Sequence, residues 1–186
     1  MKMKHIALPF AAIAFVAAAS IAVAQIERLD LAQMVSKSDN AVFGTITNKE
    51  VFRIDHPRDG VELYFTSLTI QGRSLRTGDP LTVDVAFAGG FVDDRHGVYN
   101  SEAPSADDTR IGNKVVVFYK WTDNMGGDLA ANSIYAAHGG IYRTFETPKG
   151  ATVVQGRGEG YAVAANVELT ALGQQVATLA KAPKQK

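Results

Sequence analysis

The chain contains no cysteine in its 186 residues. Disulfides, a lipid-modified cysteine behind a leader and thiolate metal centres are therefore excluded, and stability has to come from burial and hydrogen bonding. Charge of one sign is lacking too: 19 Lys and Arg stand against 19 Asp and Glu, for a formal net charge of zero. A nucleic-acid or anionic-membrane partner normally requires a basic stripe, so neither is expected. The chain has a single tryptophan, Trp121. No Gly-x-Ser-x-Gly elbow, EF-hand spacing or Gly-Lys-Ser/Thr phosphate loop occurs, so no cofactor is expected.

What is present begins with a leader. Lys2 and Lys4 precede an apolar run from Ile6 to Val23, and Ala22-Val23-Ala24 before Gln25 has the small-x-small form of a cleavage site. Residues 1–24 are read as a signal peptide. Pro9 and the many alanines argue against its retention as an anchor, so no transmembrane span is expected after cleavage. Removal of Lys2 and Lys4 leaves 17 basic against 19 acidic residues in the mature chain, 25–186, which is long enough for one β-rich domain. The expected location is periplasmic or secreted, from a bacterium with a Sec-type signal.

The best-specified stretch is Leu81–Phe87. Leu81, Val83, Val85 and Phe87 alternate with smaller or polar residues and share one strand face; Gly78-Asp79-Pro80 precedes them and Gly89-Gly90 follows. A one-residue slip would turn four large side chains outward, at about 1.5–3 kcal/mol each. Upstream, Asp30 and Gln33 have capping-box spacing for a short helix, with Leu29 placed to staple against Met34. Ala41–Thr47 reads as a strand in which Gly44 signals a bulge or a close backbone approach. Val61–Ile70 carries large side chains on both phases, which suits a strand covered on both sides or bent at a barrel corner. Val115–Tyr119 is apolar on both faces, as a central strand would be.

Asn132–Ala137, Ile141–Phe145 and Ala151–Gln155 are further strand candidates, the last two forming a hairpin. Leu169, Leu172, Val176 and Leu179 define a C-terminal amphipathic helix over about 169–181, with Thr170 as cap, expected to cover one opening of the sheet. Residues 89–113 hold few large apolar side chains and read as a long surface loop carrying recognition, removable over 93–105 without loss of fold.

Ser38-Asp39-Asn40-Ala41-Val42-Phe43-Gly44-Thr45-Ile46, Tyr64-Phe65-Thr66, Val83–Phe87 closing on Gly89-Gly90, Ala103-Pro104 and Ile111–Phe118 together resemble a group of small secreted bacterial proteins of unassigned activity, over roughly residues 30–120. More distantly, a strand-rich core with a terminal helix is similar to the OB-like barrel of netrin-type and metalloproteinase-inhibitor domains. Those domains rely on cysteines, so the resemblance transfers no inhibitory residues, and the nearer group lends no catalytic ones.

The expected fold is thus mainly β: an antiparallel, OB-like barrel or bent sheet with a short N-terminal helix and a C-terminal helix. The expected function is exported, non-enzymatic binding of an envelope or extracellular protein or a small ligand. Candidate ligand-binding residues are Trp121, at the end of its strand, and Asp93, Asp94 and His96 in the loop. An alternative is a metal-assisted hydrolase, with His96, His138, Asp93 and Asp94 as metal candidates, because carboxylate and imidazole can share a divalent ion. A further alternative is a structural envelope component. Gly156–Gly160 reads as a flexible turn.

Overall fold

The computed structural model describes residues 28–182. The expected leader and its cleavage site lie outside the described residues. The elements in chain order are α1 (Leu31–Lys37), β1 (Asn40–His56), β2 (Gly60–Ser74), β3 (Pro80–Ala88), β4 (Gly90–Phe91), β5 (Gly97–Val98), β6 (Lys114–Thr122), β7 (Ala131–Ile134), a short 3-10 turn (Ala137–Gly140), β8 (Ile141–Glu146), β9 (Thr152–Val154), β10 (Val167–Glu168) and α2 (Leu169–Lys181).

β1, β2, β3, β7 and β6 close into a five-stranded barrel, because the first part of β1 pairs back onto β6 from Asn40↔Tyr119 to Thr45↔Lys114. All neighbours are antiparallel except β3 and β7, which meet in parallel at Ala86↔Ser133. An antiparallel barrel was expected; five is an odd number, so strict alternation of direction cannot close the ring and one neighbouring pair has to run parallel. This strand order gives an OB-like barrel, with β8, β9 and β10 continuing the sheet beyond β6.

Sequence alternation decides the two cores. Val83, Val85 and Phe87 of β3 point into the barrel with Val42, Ile46, Leu68 and Ile70, and Leu81 packs at the edge of the same cluster. β6 serves both sides. Val115, Val117 and Tyr119 enter the barrel, while Val116 and Phe118 face outward into a second cluster with Tyr142, Met34, Leu172 and Val176. That outer apolar face requires cover, and α1 and α2 supply it. α2 therefore lies on the outer face of the sheet, where expectation had put it over an opening.

Local signals place the helix ends. Asp30 Oδ1 accepts the Gln33 amide at 2.8 Å and Gln33 Oε1 accepts the Asp30 amide at 3.1 Å, so the capping box forms. Arg76 meets the other end of α1, donating to the carbonyl oxygens of Val35 and Ser38. α2 has no side-chain cap: its N-cap is Glu168, supplied by β10, and Thr170 sits inside the first turn. Gly44 and Gly72 face each other across β1 and β2, and a Cβ on Gly44 would stand 2.5 Å from the Gln71 carbonyl oxygen. The close approach anticipated at Gly44 is thus a pinch where β1 bends away from β6.

Two strand readings change. The 132–137 strand stops at Ile134, because Ala136 and Ala137 take φ of 58° and 53° and turn the chain into the 3-10 turn. The two-phase pattern of β2 is only partly covered, since Val61 near the hairpin tip is 72% exposed. Residues 89–113 pair Gly90–Phe91 with Gly97–Val98 and then turn inward. Pro104, Asp108 and Thr109 are buried, Ala103 packs against the barrel interior, and Gly112 and Asn113 exchange backbone hydrogen bonds with Ile46 at 2.8 and 3.0 Å. The 93–105 stretch expected to be removable is mostly exposed except around Ala103 and Pro104, and the contacts with the barrel concentrate at Ala103–Asn113, which forms a plug against the barrel wall after an exposed hairpin.

Candidate functional site

The plug does not seal completely. Between it and the β1–β2 side of the barrel lies a cleft of about 710 Å³. Val51, Phe87, Phe91, Val98 and Pro104 line its apolar part, and Lys49, Asp108, Thr109, His138 and Arg157 line its polar part. The hairpin carries exposed Phe91, Val92, Val98 and Tyr99 at the entrance, a local concentration of exposed apolar side chains. Lys49 Nζ donates to Thr109 Oγ1 at 3.0 Å, and burial pulls its ammonium pKa down.

Asp108 organises the polar part. Its carboxylate, 6% exposed as a residue, accepts from Arg157 Nη2 at 2.8 Å and Ser105 Oγ at 2.8 Å, and Arg143 Nε lies 3.2 Å from its other oxygen. Burial works to raise the carboxyl pKa, but the hydrogen bonds from Arg157 and Ser105 and the two guanidinium charges outweigh it, so the group sits below the usual carboxylate range. Arg157 is fixed from several sides. Nε and Nη2 donate to the Ile141 carbonyl at 3.0 and 2.9 Å, and the guanidinium lies 5.7 Å above the Tyr142 ring. Tyr142 is fully buried, and burial pushes its hydroxyl up to about 12.

His138 comes from the 3-10 turn. Its backbone amide and Nδ1 both approach the Glu102 carbonyl, at 3.0 and 3.2 Å. A carbonyl only accepts, so Nδ1 carries hydrogen, and in the neutral ring Nε2 receives the Tyr161 hydroxyl proton at 3.0 Å. Both ring nitrogens are thus engaged. A second hollow of about 300 Å³ shares Asp108, His138 and Arg157 with the cleft and adds Arg143, Gln155, Gly156 and Tyr161. A third, of about 520 Å³, lies between the β1–β2 hairpin and the β6–β7 connection, which are latched by Gly127 N donating to Asp59 Oδ2 at 2.8 Å and by His56 Nε2 to Asp128 Oδ2 at 3.0 Å.

The residues singled out from sequence are not gathered at one place. Asp93 and His96 close the β4–β5 turn: the Asp93 carboxylate accepts the Arg95 and His96 amides at 2.8 and 2.9 Å and meets His96 Nδ1 at 2.8 Å. Those bonds, with the Arg95 amide contributing most, hold the Asp93 carboxyl below its ordinary range. Asp94 is exposed beside them. His138 lines the cleft and, with Tyr161, the second hollow, and His96 lines neither. Among the described residues, no group of three or more His, Asp or Glu side chains is placed to hold a metal ion. Trp121 is 51% exposed at the end of β6, donates from Nε1 to Asp123 at 2.8 Å, and lines none of the three hollows.

Sequence reasoning missed Arg143, Arg157 and Tyr161. Arg157 and Tyr161 stand within and beside a Gly-rich stretch whose composition reads only as a turn; an arginine between two glycines next to a tyrosine was the available signal. Among the described residues no helix is long and apolar enough to cross a membrane. Comparison with family models, curated proteins and solved structures finds no match.

Proposed function

We propose that this protein is exported and binds, rather than transforms, a ligand whose apolar part enters the cleft between the barrel and the 89–113 plug. The observation that carries this reading is how the groups with catalytic potential are used. His138, the one imidazole lining the cleft among the described residues, spends both ring nitrogens on Glu102 and Tyr161. A general base or nucleophile needs a free position facing substrate. The apolar walls, by contrast, lie next to an exposed hydrophobic hairpin, as binding sites of small amphipathic molecules commonly do.

Export to a periplasm or to the medium is proposed from the leader-like sequence at 1–24, and a cysteine-free chain is compatible with it. The OB-like barrel, a scaffold that carries binding surfaces in many proteins, is compatible with a role as a binding module. The direct test fills the cleft. Ala103→Trp, placed where the plug meets the barrel interior, should weaken binding of an uncharged solvatochromic dye by about tenfold while the melting temperature stays near that of the parent protein. Unchanged dye affinity in a folded Ala103→Trp protein would remove the cleft as the site.

A further inference from the structure

We propose that the 300 Å³ hollow beside the cleft is an oxyanion subsite, and that the ligand is an amphiphile whose carboxylate or phosphate head is held by Arg143 and Arg157 while its apolar body lies in the cleft. The inference deepens the cleft reading and rests on it.

Donor accounting points to an anion. Arg157 has its guanidinium fixed by the Ile141 carbonyl, Asp108 and the Tyr142 ring, so it contributes positive charge at a set position. Arg143 differs. Its side chain approaches Asp108 through Nε, makes no hydrogen bond among the described residues, and is 42% exposed. A guanidinium has five N–H donors in a planar fork, and the terminal ones of Arg143, which lines the hollow, have no protein acceptor among the described residues. The Gln155 side chain, also on the wall, makes no hydrogen bond among the described residues either.

Charge agrees with the donor count. Two guanidinium groups line the hollow against one carboxylate, Asp108, leaving one unneutralised positive charge. The remaining polar groups there, on His138, Tyr161 and Gln155, are neutral donors or acceptors in the unprotonated ring. Arg–carboxylate and Arg–phosphate pairs are among the stronger hydrogen-bonded contacts because the fork meets two oxygens at once. The subsite is also preorganised: Arg143 is carried on β8 opposite Val115 of the barrel strand β6, and Arg157 is locked before any ligand arrives. The hollow and the cleft share Asp108, His138 and Arg157, so a head group in one and a chain in the other belong to one molecule.

The test is calorimetric titration of the folded protein with octanoate, octyl phosphate and octanol, and with acetate and inorganic phosphate alone. The octyl anions should bind at least about tenfold tighter than octanol, consistent with a charge-assisted bidentate contact. Arg143→Gln should abolish that advantage and leave octanol affinity unchanged. Arg143→Lys keeps the charge but not the fork, should recover only part of the advantage, and serves in place of Arg143→Gln if that variant does not fold. Equal affinity for octanol and the octyl anions would overturn the oxyanion subsite while leaving the cleft standing. Failure of all three octyl compounds to bind would overturn the cleft reading itself. Acetate or inorganic phosphate binding as tightly as its octyl counterpart would show an anion site without an attached apolar body and overturn the link between hollow and cleft.

Discussion

At the scale of single residues, Arg157 carries more of the molecule than any side chain prominent in the sequence. It closes the Ile141 carbonyl, neutralises a buried Asp108 and lies over Tyr142. Without Arg157, Asp108 keeps Arg143 and Ser105 but loses its less exposed guanidinium partner, and the loss falls at the lower end of the about 3–5 kcal/mol that breaking a buried pair costs. Arg157→Leu should therefore lower the stability measured by urea unfolding by about 3 kcal/mol, with Asp108→Asn in the same background recovering part of the loss. A double-mutant cycle showing no coupling between the two positions would mean that Arg157 acts through the Tyr142 and Ile141 contacts alone. The contrast with His96 and Trp121 is instructive. Both drew notice by residue type, yet each pairs within its own turn, at Asp93 and Asp123 respectively.

At the scale of elements, the 89–113 segment divides into two parts with different duties. The exposed hairpin, with Phe91, Val92, Val98 and Tyr99 on its surface, frames the cleft, while Ala103 to Asn113 fills the barrel wall beside β1. Replacing Val92–His96 by a two-residue Asn-Gly turn keeps the Phe91↔Gly97 pair and should leave the melting temperature within a few degrees of the parent, and Phe91→Ser at the mouth of the cleft should weaken dye binding. Substituting Pro104 and Thr109 by Asp should unfold the protein, because it buries charge against the barrel and breaks the Lys49–Thr109 contact. Circular dichroism melts distinguish the two outcomes. Few large apolar residues mark this segment as a loop, yet its second half is anchored by the buried Pro104, Asp108 and Thr109 and by backbone hydrogen bonds to Ile46. Periodicity does not register burial of that kind. The short helix α1 presents the opposite case: Asp30 and Gln33 are three residues apart and their capping is complete within one turn, so it was fully legible.

At the scale of the whole molecule, buried ionisable groups shape the pH limits of the fold. Burial pushes the Tyr142 hydroxyl up to about 12 from an ordinary 10, so its contribution is fully present below pH 10 and is lost as pH rises from 10 to 12, for about 2–3 kcal/mol in total. Burial raises Tyr119 as well, in the same direction. Asp108 lies below its ordinary 3.8, so its contribution is present above that pH and disappears as pH falls through the lower folded value. Urea midpoints should accordingly be steady across the neutral range, with the alkaline decline reduced in Tyr142→Phe and reduced further when Tyr119→Phe is added. The alternation of β3, the double-faced β6, the capping box of α1 and the extent of α2 follow from patterns within a few residues of one another. Those features are determined by the sequence alone, since each depends on the spacing of neighbours along the chain; closure of the ring is not, because it joins Asn40 to Tyr119 and Ala86 to Ser133 across dozens of residues. The candidate site was decided only in three dimensions. Asp108 and Arg157 are 49 residues apart, in segments whose compositions suggest a wet loop and a flexible turn, and they meet because barrel closure brings the plug against β8. Charge pairing across such a distance leaves no periodic trace; its partners are chosen by where the fold puts them and by the cost of leaving a buried charge alone.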